Sequence, residues 1–182
     1  MEQIRKNLWN SAAKAGMVLG LVSSAYLFIN QWVTSMGVPV LAGLLSFVLW
    51  AVKFGGCIWL MMFFMKKFAA ENNAADNSTT FRFGVATALL SALVYAAFSF
   101  ANMAYFSTDL IAENMDAVMQ AYSQFMDSNT MSQMEKTMTK LPQITFFGNL
   151  IYCFIFGTIL SAILSRNIPS RDPFASNRPD EQ

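Results

Sequence analysis

The sequence predicts an all-α, polytopic membrane protein: four transmembrane helices, with an amphipathic helical segment between spans three and four. Three observations predict it. Hydrophobic residues make up 55% of the 182 and charged residues 13%, against about 25% charged in an ordinary soluble domain. No charge falls between Lys14 and Lys53, between Arg82 and Asp109, or between Lys140 and Arg166. Nothing alternates with the period of two that a barrel strand needs. In hydrocarbon the backbone of an apolar stretch must satisfy itself, which means helix. The same figures exclude other classes. A net charge of +1 lacks the basic excess of a nucleic-acid binder, and two cysteines do not staple a secreted domain. Without histidine there is no His-based triad, zinc-protease motif or imidazole relay, and no Walker or dinucleotide fingerprint is present. The expectation is no enzyme and no cofactor.

The spans follow in order. About 20 apolar residues cross about 30 Å of hydrocarbon. The first uncharged stretch holds 38 residues, broken by Ser35-Met36-Gly37-Val38-Pro39, a turn signal. It therefore gives two spans, roughly Ala15–Thr34 and Val40–Phe64, and the second runs through Lys53 because Val40–Val52 is too short. The third span is roughly Phe83–Phe106 and the fourth roughly Ile144–Leu164. Before span one, Leu8, Trp9 and the small residues around Lys14 read as a helix lying in the interface. The apolar run continues past Ser23-Ser24-Ala25 to Val33, so span one reads as retained rather than as a cleaved signal peptide. Ser78 to Thr80 read as the cap of span three. Residues 1–165 form the membrane domain, and 166–182, with three prolines, a flexible cytoplasmic tail.

Basic flanks set the orientation. Arg5, Lys6, Lys14, Lys66, Lys67, Arg82, Arg166, Arg171 and Arg178 fall on one side; Lys136 and Lys140 fall on the other. Nine against two places both termini in the cytoplasm and Ser107–Gln143 outside.

Helices associate in lipid by close packing of small residues. Span one offers Ala12, Gly16, Gly20 and Ser24. Span three offers Gly84, Ala88, Ala92 and Ala96, and span four Asn149, Cys153, Gly157 and Ser161. Two readings stand: packing inside one compact bundle, or a homo-oligomer through one ladder.

Lys53 is the costly residue. It lies about 12 residues from either end of span two, roughly 18 Å from each surface at 1.5 Å per residue. On insertion scales the charge costs about 2.5–3.5 kcal/mol at a helix centre. Thirteen Leu, Ile, Phe or Val residues in that span offset it. No Asp or Glu occurs in any span. The candidate partners are Ser91, Tyr95, Asn149, Tyr152, freed carbonyls, water or a bound anion. An intramembrane charge is a functional hypothesis by default; the bland alternative is a lysine merely tolerated. Cys57 and Cys153 read as one inert packing cysteine per helix.

The outside segment carries Ile111, Met115, Val118, Met119, Tyr122, Phe125 and Met126 at helical spacing with acids between, an amphipathic helix. Asp127-Ser128-Asn129-Thr130 interrupts it. Ser132 with Glu135 reads as a capping box, opening a shorter helix with Met131, Met134, Met138 and Leu141 on one stripe, ended at Pro142. This stripe either packs on the bundle and headgroups, or docks a membrane or periplasmic protein. Thioethers suit Cu(I), but with no His or Cys nearby no metal is expected.

Four spans, the basic exit Met65-Lys66-Lys67-Phe68, the opening Phe81-Arg82-Phe83-Gly84 and the Met- and Gln-containing acidic segment together resemble domain of unknown function 4199. That family consists of small membrane proteins of Gram-negative bacteria. The resemblance covers nearly the whole chain except the tail, and Ala86 and Thr87 depart from its pattern. It implies an inner-membrane protein with no assigned activity and contributes no catalytic or ligand residues. The functional expectation is a non-enzymatic, partner-binding or structural membrane protein. The alternative is a small transporter or channel component that binds an anion at Lys53. A water-lined polar path would favour the alternative; a sealed apolar core would favour the first.

Overall fold

A computed structural model describes residues 2–34, 39–72, 77–106, 108–122 and 127–168. Among them every regular element is helical. In chain order they are α1 (Glu2–Thr34), α2 (Pro39–Glu71), α3 (Asn77–Ala101) continued by a π-helical turn (Asn102–Phe106), α4 (Thr108–Tyr122), α5 (Ser128–Thr139) and α6 (Leu141–Arg166). Four helices, α1, α2, α3 with its π turn, and α6, are long and apolar enough to cross a membrane. Most of the expected tail, 169–182, lies outside the described residues.

Several boundaries differ from the sequence reading. Pro142, read as the end of the short outside helix, stands in the first turn of α6, because a proline costs nothing where the backbone N–H has no partner, and α5 ends at Thr139. The interfacial helix before span one is not separate: α1 is one helix from Glu2, and Leu8, Ala12 and Ala15 on its early turns are buried. Lys14 misleads because it marks where charge is tolerated, not where a helix stops; it sits on the exposed face of a helix whose other face keeps packing. At the start of α3, Ser78 to Thr80 lie inside the first turn, and Thr80 is buried. The capping box at Ser132 and Glu135 is replaced by an earlier cap. Asp127 is extended, and its carboxylate accepts from the Thr130 backbone N–H at 3.0 Å, so α5 begins at Ser128. A short acidic side chain just ahead of a helix satisfies an orphan amide that Ser132, already inside the helix, cannot reach.

Bonds from Thr130 to the charged form hold the Asp127 carboxyl below the usual carboxylate range. A depressed carboxyl stabilises the fold above its unfolded value and loses that effect as pH falls through the folded one. Acidification is therefore expected to speed amide exchange in the first turn of α5. Asp127→Asn, which keeps an acceptor oxygen without titrating, should abolish that pH dependence.

The hub is α3. It packs most extensively on α6 and α1; α1 in turn packs on α2, and α2 meets α3 and α6 only lightly. Small residues make this geometry. Gly84, Ala88, Ala92 and Ala96 are all buried. A Cβ on Gly157 would lie 2.6 Å from the Ala88 Cβ, and one on Gly84 would lie 2.8 Å from the Ser161 Cβ. On the other side of α3, a Cβ on Gly16 would meet the Leu90 Cβ at 2.8 Å and one on Gly20 the Val94 Cβ at 2.6 Å. Backbones this close make dispersion contacts that lipid cannot replace. The hydroxyls on the two ladders turn inward to their own helices: Ser24 donates to the Gly20 carbonyl at 2.7 Å and Ser161 to the Gly157 carbonyl at 2.6 Å. Asn149 donates to Ser99 at 2.8 Å, tying α6 to α3.

The apolar core lies toward the end of the bundle that carries the N-terminus. Leu8, Ala12, Met61, Met65, Phe68, Phe83, Leu164 and Ile168 are buried together. The rings of Phe68 and Phe83 stack with centroids 4.3 Å apart, closing that end. Thr87, also on α3, is 0% exposed, and its Oγ1 has no hydrogen-bond partner among the described residues. An unsatisfied buried hydroxyl costs about 1–3 kcal/mol. Thr87→Val, which keeps the shape and removes the hydroxyl, is expected to stabilise by about 1 kcal/mol, read by denaturation in detergent micelles.

Candidate functional site

Lys53 stands in the middle of α2 where α1, α3 and α6 converge. Its ammonium lies 4.7 Å from the ring centroid of Tyr26 on α1 and 4.7 Å from that of Tyr95 on α3. Two aromatic faces thus flank one cation. A desolvated cation–π contact is worth about 2 kcal/mol, so the pair accounts for much of the cost of placing the charge there. Of the partners the sequence offers, Tyr95 is one that the fold supplies; Asn149 is engaged with Ser99 instead.

Beside the ammonium is a cavity of about 160 Å³. Leu19, Ala88 and Ala92 form its floor on α1 and α3, and all are buried. Its rim is different. Trp50 on α2 is 51% exposed and Tyr152 on α6 is 70% exposed. Between them, Phe54 stacks on Trp50 at 5.5 Å and reaches Phe156 of α6 at 5.5 Å. Met61, from the closed apolar end, bounds the cavity too. The cavity therefore opens sideways, between α2 and α6, and not along the bundle axis toward the N-terminal end.

Both cysteines line this cavity. They are free thiols, and Cys57 Sγ lies 3.5 Å from Ser23 Oγ. Read from the sequence as one inert packing cysteine per helix, the two are brought by α2 and α6 to the same cavity as Lys53. Ser23, Ser91 and Tyr152 complete its polar lining.

The ladder residues Gly16, Gly20 and Ser24 face α3, and Gly84 and Gly157 sit at the α3–α6 contact with Ser161. Each close approach is to another helix of the same chain. On the α4–α5 side, Met119, Met131, Met134 and Met138 are half-buried. The main neighbours of α4 and α5 are the π turn before them and α6 after them. The side chains of Met115 and Tyr122, and the whole of Met126, lie outside the described residues.

The model of a family described as protein of unknown function (DUF4199) matches residues 14–166. The chain belongs to this family. No curated protein and no solved structure matches it. The DUF4199 match contains α2, α3, α4, α5 and α6, and with them every residue that lines the cavity.

Within this DUF4199 chain, sequence reasoning singles out Lys53 with Ser91, Tyr95 and Tyr152, which all line the cavity, but misses Tyr26 and the rim residues Trp50, Phe54 and Phe156. Spacing carried a usable signal. Trp50 with Phe54, and Tyr152 with Phe156, are aromatic pairs one turn apart on two different spans, each on the face of its helix that holds Lys53 or Cys153. Tyr26 is the sole tyrosine of span one, an amphipathic ring within its apolar run.

Proposed function

We propose that this chain is a non-enzymatic, multi-pass inner-membrane protein that works by binding a partner through its α4–α5 segment, with both termini in the cytoplasm. One observation carries the reading. Met119 of α4 and Met131, Met134 and Met138 of α5 keep partial exposure, and these helices pack chiefly on their neighbours in the chain and not across the bundle. Flexible, polarisable methionine faces adapt to protein surfaces. The transporter alternative is weaker, since Phe68 and Phe83 stack, both buried, at the end that carries the N-terminus, and neither lines the Lys53 cavity. Self-association through the ladders is weaker as well, because their close approaches are already filled within one chain.

A photo-crosslinking side chain at Met134 or Met138, activated in native membranes, should give one discrete adduct with a second protein. The same probe at the lipid-facing Leu44 should not. Lipid adducts alone at all three positions would defeat the reading. Reporter fusions after Gln143 and after Arg166 should be active in opposite compartments.

A further inference from the structure

We propose that the Lys53 cavity is a binding site for a membrane-soluble carboxylic acid with a single acyl chain, held with its carboxylate on the Lys53 ammonium and its chain leaving between α2 and α6. This is independent of partner binding at α4–α5, and either reading can fail without the other.

The argument begins with charge. Two tyrosine faces hold the ammonium, yet no carboxylate stands in any of the four spans to neutralise it. Aromatic faces lower the cost of a buried cation without removing its charge. A built cavity next to an uncompensated ammonium is complementary to a single negative charge.

Shape narrows the ligand. At about 160 Å³ the space is close to the roughly 150 Å³ of an engineered apolar cavity that holds benzene. That admits a carboxylate and the first carbons of one chain, not a glycerol phosphate with two. The rim decides the route. Trp50, Phe54, Tyr152 and Phe156 are exposed on the side of the bundle, whereas Leu19, Ala88 and Ala92 behind them are buried. Entry is therefore from hydrocarbon, where the remainder of an acyl chain can lie along α2 and α6. Outward of Lys53 on α2, the exposed Phe47 stacks on the rim residue Trp50 with centroids 6.0 Å apart, and the two rings offer such a chain an apolar track.

Depth separates carboxylate from phosphate. A carboxylic acid can approach through hydrocarbon in its neutral protonated form. On binding beside the ammonium its O–H proton leaves for bulk water, and the carboxylate and ammonium remain as an ion pair. A phosphodiester stays charged throughout and meets the full desolvation barrier at this depth. Ser23, Ser91 and Tyr152 add hydroxyl donors around the same space.

The test uses the full chain in phosphatidylcholine nanodiscs with a diazirine-bearing palmitic acid. Light should label residues of the cavity rim on α2 and α6, mapped by peptide mass spectrometry. Unlabelled palmitate should compete; methyl palmitate, which has the chain but no charge, should not. Lys53→Met should cut labelling at least tenfold, and Lys53→Arg should retain most of it. Lys53→Gln serves as a second variant should Lys53→Met fail to assemble. Equal competition by methyl palmitate, or labelling unchanged in the lysine variants, would overturn the proposal. Competition by phosphatidylglycerol but not palmitate would assign the site to a lipid headgroup and overturn it equally.

Discussion

Gly157→Ile is expected to destabilise the bundle by about 3 kcal/mol or more, the upper range for overpacking, measured by denaturant titration in micelles. The cause is local, the effect extended. A Cβ at position 157 would stand 2.6 Å from the Ala88 Cβ, well inside van der Waals contact. Helix backbones do not yield by an ångström at one point. To relieve the overlap α6 must move off α3 along its length, which loosens the Gly84–Ser161 contact and the Asn149–Ser99 hydrogen bond. The control is on the same helix: a Cβ at Gly148 would meet nothing within 4 Å, so Gly148→Ile should be near neutral. Compensation gives a sharper test. Gly157→Ala alone should destabilise, and adding Ala88→Gly should restore most of the loss. Failure of that rescue would mean that the α3–α6 approach is set elsewhere.

The spans were legible in the sequence because hydrocarbon punishes charge at every position, so gaps between charges record where the chain meets lipid. Helix ends were less legible. Lys14 is compatible with a helix that continues beyond the apolar layer, and only the burial of Leu8 and Ala12 against other helices reveals that it does. Lys53 was legible for the same reason as the spans, since one charge in an uncharged stretch stands out without any knowledge of packing. Its surroundings were not. Whether Tyr26 of α1 lies level with Lys53 of α2 depends on the stagger of two helices, and stagger is set by interlocking side chains, not by either helix alone. The two cysteines belong to the same class of fact: 96 residues apart in sequence, they share a cavity because α2 and α6 both border α3.

The ladders illustrate the middle case. Spacing of small residues every fourth position is visible in a sequence, but it marks a close approach without naming the partner. The structure assigns partners: α3 presents Gly84 and Ala88 to α6, and Leu90 and Val94 to the glycines of α1. With both faces of α3 occupied, α2 is left to pack on α1 and to border the cavity on its open side. That division of labour explains why the site forms on α2 and α6, the two spans least enclosed by the rest of the chain.

A double-mutant cycle on Lys53 should then show that the tyrosines serve the charge and not the core. Lys53→Met removes a charge whose insertion costs about 2.5–3.5 kcal/mol at a helix centre, so this variant should be at least as stable as the parent. Tyr26→Leu or Tyr95→Leu in the parent strips one face from the ammonium and should each destabilise by about 1–2 kcal/mol. The two together should exceed either alone, because a cation left with neither face is a buried charge without compensation. In the Lys53→Met background the same substitutions should fall near zero, since a leucine fills much of the ring's place and no cation remains to be served. The difference between the two backgrounds is the coupling energy. Tyr26→Phe and Tyr95→Phe separate the ring from its hydroxyl: with the face kept, both should stay close to the parent. Equal destabilisation by Tyr→Leu in both backgrounds would instead make the tyrosines packing residues, and Lys53 would need another source of stability at that depth.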